Sequence, residues 1–108
     1  MVKVTRLPKT SVIKVIKEGK NIQSPLFGLK FTQNTLFLNR FSVVVSKKEL
    51  KKAVERNRVK RVLREVLRKK LTEIEGFFDI VCFAKKGVLD THFVGLLGLF
   101  DGIKDKIK

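Results

Sequence analysis

Between positions 56 and 68 the chain concentrates its most reactive surface chemistry: Arg56, Asn57, Arg58, Lys60, Arg61, Arg64 and Arg68. Asn57, Arg61, Arg64 and Arg68 are spaced i, i+4, i+7, i+11, which puts them on one face of a helix. Arg56 and Lys60 flank that face, and Arg58 lies beside its start. A guanidinium can grip a phosphate bidentately or stack on a base, which a lysine ammonium does less well. Asn57 adds an amide that both donates and accepts. An amide set among arginines suggests a shaped polyanion site more than a diffuse cloud of charge.

The element that positions these groups is legible around them. Residues 47–70 hold twelve Lys or Arg against Glu49, Glu55 and Glu65, a net charge of +9. The same stretch carries Val59, Val62, Leu63, Val66 and Leu67, spaced i, i+3, i+4, i+7, i+8. That is the apolar stripe of an amphipathic helix, expected over residues 53–71. A solvated face with a few intrahelical ion pairs would contribute only tenths of a kcal/mol, and solubility does not need this much charge. The whole chain, at 108 residues, carries a net +15. Such an imbalance costs stability through self-repulsion and implies an acidic partner.

Several function classes are disfavoured. No run reaches the roughly 18 apolar residues of a membrane span, Trp and Tyr are absent, and the basic start has no apolar signal core. A soluble, cytoplasmic protein with no membrane partner is expected. Cys82 is the lone cysteine, in an apolar run, and is expected to be a buried, inert thiol. With His92 the lone histidine, a zinc site is not expected. No Ser-His-Asp set, phosphate loop or facing carboxylate pair is present, so no catalytic residue is expected in the protein itself.

The remaining elements read as one domain over residues 1–108. A helix is expected from Ser11 to Gly19, and a half-buried strand with Phe27, Leu29 and Phe31 on one face and Gly28 and Lys30 on the other. A second β region is expected over residues 36–46. Residues 77–84, apolar on both faces, should form a central strand. A last helix should start at Asp90 or Thr91, with Phe93, Leu96, Leu97, Phe100, Ile103 and Ile107 on one stripe. This order, α, two or three strands, α, β, α, describes an α+β sandwich.

The hexapeptide at 56–61 with Val62, Leu63, Arg64 and Glu65 closely resembles the signature of the bacterial ribonuclease P protein subunit. Ala53 and Val54 precede it as they do in that family. Lys17 to Lys20, Arg40 and Phe41 through Lys48, and Phe78 to Val81 resemble the family's flanking elements, so the match covers about residues 6–86. The resemblance implies an αβββαβα two-layer sandwich with a left-handed β-α-β crossover, like a ribosomal-protein domain, whereas the general rule favours a right-handed one. It implies that the protein binds a catalytic RNA and precursor tRNA, and assists metal-dependent removal of the 5′ leader. The RNA would carry the catalysis and hold most of the Mg2+, and no obligate protein partner is inferred. Arg56, Asn57, Arg58, Lys60, Arg61 and Arg64 would contact the catalytic RNA, with Arg68 on the same face and Lys47 and Lys48 on RNA phosphates. Val12, Ile16, Gly28, Lys30, Val44 and Ser46 would line the leader cleft. Val12 and Ile16 stand where the family usually has aromatics, and Lys30 lies near another such position, so the grip on the leader should be weaker or more electrostatic. The competing reading is a ribosomal or RNA-chaperone protein with no part in processing.

Overall fold

Alternation and helical periodicity partition the chain as follows, in a computed structural model that describes residues 3–108. The elements are β1 (Val4–Arg6), α1 (Lys9–Glu18), β2 (Lys20–Gln23), β3 (Phe27–Gln33), β4 (Asn39–Val44), α2 (Ala53–Lys70), β5 (Phe78–Ala84) and α3 (Phe93–Ile103). One sheet holds all five strands in the order β1-β4-β5-β3-β2. Its centre is β5, parallel to β4 and antiparallel to β3. The parallel β4–α2–β5 unit is the crossover connection.

The two faces of the sheet carry different side chains because the strand period is two. Phe27, Leu29 and Phe31 of β3 lie level with Ala84, Cys82 and Ile80 of β5, and Phe41 and Val43 of β4 continue the last two rows. This face packs against Val59, Leu63, Val66 and Leu67 of α2 and Leu96 and Phe100 of α3 to form the main core. Each such side chain contributes roughly 1.5–3 kcal/mol when fully buried. The opposite face receives α1, whose Val15 packs with Leu7 and Val81 in a smaller core. Cys82, on the main-core face, is fully buried, and burial pushes its thiol pKa up to about 12.

Polar groups tie the layers together at defined points. Asn39 is 0 % exposed; its Nδ2 donates to the Leu71 carbonyl at 2.8 Å and its Oδ1 accepts from the Phe78 backbone N–H at 2.7 Å. One side chain thereby joins the end of α2 to the starts of β4 and β5. On the α1 side, Arg40 binds Asp79 through two hydrogen bonds, 2.9 and 2.7 Å, and its Nη2 lies 3.5 Å from Ser11 Oγ. The Asp79 hydrogen bond raises the Arg40 pKa. Between α2 and α3, Lys70 and Lys104 bridge Glu73 and Asp101. Hydrogen bonds from Lys70 and Lys104 hold the Asp101 and Glu73 carboxyls, respectively, below their ordinary range.

Three element ends depart from the sequence expectation. The first helix begins at Lys9, because the Pro8 carbonyl already accepts the Ser11 and Val12 N–H groups. Residues 36–38 are not strand: Phe37 takes a positive φ of 58° and turns the chain before β4. The last helix begins at Phe93, because Lys86–Asp90 forms a 3-10 helix first, leaving His92 at the N-cap. Short β1 adds one strand ahead of the expected αβββαβα order, and β2 is the first of its three strands between the helices. On the last stripe, Leu96, Phe100, Ile103 and Ile107 are buried, while Phe93 is 36 % exposed.

Replacing Asn39 by alanine leaves the Leu71 carbonyl and the Phe78 N–H buried without that partner. Each orphaned group costs about 1–3 kcal/mol, so Asn39→Ala should lose about 2–4 kcal/mol in urea unfolding. A loss below about 0.5 kcal/mol, the scale of ordinary surface changes, would contradict the clamp.

Candidate nucleic-acid interface

The buried stripe of α2 dictates what its outer face presents. With Val59, Leu63, Val66 and Leu67 turned to the sheet, Asn57, Arg58, Arg61 and Arg68 are exposed and Arg56, Lys60 and Arg64 are half-buried. Lys60, Arg64 and Arg68 converge with Arg6 of β1 around a hollow of about 270 Å³ at the β1–β4 edge. Four cations around one concavity focus positive potential there. Arg68 also pairs with Glu65 at 3.0 Å, but both side chains are 60 % exposed, so the pair contributes little and leaves the guanidinium available.

Arg56 has a structural duty as well. Its Nη1 donates to the carbonyls of Leu50 (2.9 Å) and Lys51 (2.7 Å), pinning the segment before α2. In that segment the backbone N–H groups of Glu49 and Leu50 return to the Ser46 carbonyl, and Ser46 Oγ also accepts from Glu49. Leu50 is buried in the core. The turn so formed leaves Lys47 and Lys48 exposed.

A second concavity, a groove of about 420 Å³, opens where α1 ceases to cover the sheet. Ile16 forms the helix wall; Gly28, Lys30, Val44 and Phe83 come from the sheet; Asn21 and Gln23 stand on edge strand β2. Ser46, Glu49 and Lys85 close one end. Lys30 Nζ donates to the Ile16 carbonyl at 3.1 Å, satisfying an end carbonyl of α1 and crosslinking that helix to β3. The groove floor is largely apolar with cations at its margins, which suits a single-stranded polyanion with exposed bases.

Comparisons with known proteins agree with one another. A family model described as Ribonuclease P matches residues 1–108. The chain belongs to the ribonuclease P protein family. It is 39% identical to the ribonuclease P protein component of Thermotoga maritima over 72 residues, 67% of this chain and 61% of that relative. The aligned stretch is therefore less than two thirds of that relative's length. Against the component from Thermoanaerobacter sp. it is 34% identical over 92 residues, 84% of this chain and 78% of the relative. The solved RNase P protein from Thermotoga maritima superposes with a TM-score of 0.83 at 29% identity, covering 95% of this chain and 97% of that one. The Staphylococcus aureus RNase P protein shares the fold, with a TM-score of 0.75 at 22% identity. These likenesses bear out the α+β fold class expected from the signature.

Within this ribonuclease P family fold, five of the six residues expected in the cleft do meet there: Ile16, Gly28, Lys30, Val44 and Ser46 line the groove. Val12 does not; its β-branched side chain is drawn into the small core against Leu7, Val15 and Val81. Residue type and spacing alone do not single out Phe83, Gln23, Asn21, Lys85 or Arg6. Phe83 was hidden by the apolar composition of β5 on both faces, and Arg6 by the shortness of β1. Among the described residues no group of three or more His, Cys, Asp or Glu side chains is placed to hold a metal ion.

Arg56→Ala should release the Leu50 and Lys51 carbonyls and loosen the turn that carries Lys47 and Lys48. Hydrogen bonds from a charged donor contribute about 1.5–3 kcal/mol, so a stability loss of about 1–2 kcal/mol is expected for this half-exposed group. Thermal unfolding and backbone hydrogen exchange over residues 47–52 measure it; unchanged exchange there would show that Arg56 does not hold the turn.

Proposed function

We propose that this chain is the protein subunit of a ribonuclease P holoenzyme, a ribonucleoprotein endoribonuclease that matures the 5′ end of tRNA. In this reading the exposed face of α2, from Asn57 to Arg68, binds the catalytic RNA. The groove between α1 and the sheet binds the 5′ leader of precursor tRNA. Hydrolysis of the phosphodiester belongs to the RNA, with Mg2+ held mainly by RNA ligands. The protein's own residues bind, orient and neutralise charge. None is assigned a catalytic step.

One observation carries the reading: a short segment with two exposed lysines leads from the groove to the basic helix. Ser46 lines the groove, the next two residues, Lys47 and Lys48, are exposed on the turn, and α2 follows at Ala53. A single strand leaving the groove past Ser46 meets these ammonium groups and then the arginine face. A ribosomal or chaperone protein would bind structured RNA through α2 and have no need of the groove; family membership does not favour it. Among the described residues no helix is long and apolar enough to cross a membrane; the cytoplasmic location is proposed from family membership.

Adding the protein to its cognate catalytic RNA should raise precursor-tRNA cleavage at low magnesium, where RNA alone is slow. Absence of any gain would defeat the proposal. Arg61 is exposed and carries no ion pair among the described residues. Arg61→Ala should therefore weaken RNA binding with no change in melting temperature, and reduce the slope of log K against log salt by about one unit. An unaltered slope would show that Arg61 neutralises no phosphate.

A further inference from the structure

Four residues stand in one row across the open part of the groove floor. Gln23 on β2 pairs with Gly28 on β3, Gly28 with Phe83 on β5, and Phe83 with Val44 on β4. All four line the groove. Strands are ~4.8 Å apart, so the row spans roughly 14 Å. The next row, Asn21, Lys30, Val81 and Ser42, is partly roofed, since Val81 packs in the core beneath α1. The Phe83 row is thus where the floor is open.

Phe83 is the one aromatic among the residues lining the groove. It is half-buried and packs against the cluster of Leu7, Val15 and Val81. Beside it Gly28 has no side chain. A Cβ at that position would lie 3.1 Å from Oε1 and 3.2 Å from Nε2 of Gln23, so the glutamine amide lies over the glycine. The amide is also oriented. Lys85 Nζ approaches Gln23 Oε1 at 3.4 Å, and Gln23 Nε2 donates to Asn21 Oδ1 at 3.2 Å. An ammonium only donates, so the atom facing Lys85 must be the oxygen. An aromatic ring next to a fixed amide, with Lys85 at the rim, is a surface for a flat heterocycle that has polar edges and an attached anion.

We propose that Phe83 and the Gln23 amide form a nucleobase subsite, in which one unpaired base of the leader stacks on the ring and meets the amide at its edge. This rests on the leader-groove reading above and names the contact within it. The wall of α1 gives that base only an aliphatic surface at Ile16, whereas the Phe83 ring supplies a π face from the floor. The aromatic contact missing from α1 is thereby supplied by the central strand. Lys30 and Lys85 lie in the same groove, where they neutralise the flanking phosphates.

The test uses the full chain reconstituted with its catalytic RNA, with precursor tRNA and mature tRNA as ligands. Phe83→Leu should weaken precursor binding roughly tenfold, within the range of stacking losses, and leave mature tRNA unaffected. Phe83→Trp should keep most of the affinity. With the unaltered protein, an abasic scan of the leader should find one position that loses as much, and that abasic leader should be indifferent to Phe83→Leu, as expected when two changes remove one contact. Wild-type affinity in Phe83→Leu, together with loss of leader preference in Lys30→Glu, would mean that the groove holds the leader without this subsite. If neither substitution alters the preference for leader, the groove reading itself falls. Equal losses for precursor and mature tRNA would also overturn the subsite. Should Phe83→Leu fail to fold by circular dichroism, the abasic scan decides alone, and equal losses at every leader position refute the proposal.

Discussion

The seating of α2 on the sheet is the constraint from which the rest of the molecule follows. A helix carrying this much positive charge is driven away from its neighbours by Coulomb repulsion, and the burial of Val59, Leu63, Val66 and Leu67 against the sheet is the main force that opposes it. The same burial fixes the rotation of the helix about its own axis. A turn of one residue, 100°, would carry Lys60 and Arg64 toward the core and swing Leu63 away from it. Asn39 fixes the remaining freedom, sliding along the axis, because its amide grips the carbonyl of Leu71 just beyond the last turn. Which cations face outward is therefore a property of the apolar side of the helix as much as of the basic side.

The groove has a similar origin in packing. A helix of ten residues rises only about 15 Å, too little to roof the sheet face beneath it. Its N-terminal half is held near Arg40 and Asp79, where Ser11 approaches the ion pair. Its C-terminal end is held by Lys30 at the Ile16 carbonyl. Between these ties Val15 is buried, and beyond them the floor is uncovered. The cavity is thus a consequence of helix length and of two anchors on one face, and the side chains that happen to be level with the uncovered row acquire access to solvent.

Much of this was legible from residue types, and the exceptions have physical reasons. The apolar stripe marks the span of α2 to within one residue because it is long, unbroken by Gly or Pro, and flanked by polar residues. The central place of β5 follows from apolar residues on both of its faces. That same double burial concealed Phe83, since a strand apolar throughout gives no alternation to tell floor from core. The edge strand β2 has a single buried residue, Ile22, too little pattern to recognise. Phe37 broke the second β region through a left-handed backbone that its residue type does not announce. The second duty of Arg56, on the carbonyls of Leu50 and Lys51, could not be seen because it depends on backbone groups whose direction only the folded turn defines. The arginines expected to share a face do so, and the cleft residues meet except for Val12.

Cys82 lies level with Leu29 on one neighbouring strand and Val43 on the other, at the middle of the sheet and out of reach of solvent. With no second cysteine in the chain, it has no internal partner, and its raised pKa keeps it in the unreactive thiol form. Its chemistry is therefore governed by access. A thiol reagent in water can meet this sulfur only when β5 parts from a neighbour, so the speed of alkylation reports how often the middle of the sheet opens. The protein carries its own clock for that motion, built into a position that neither the arginine face nor the groove uses.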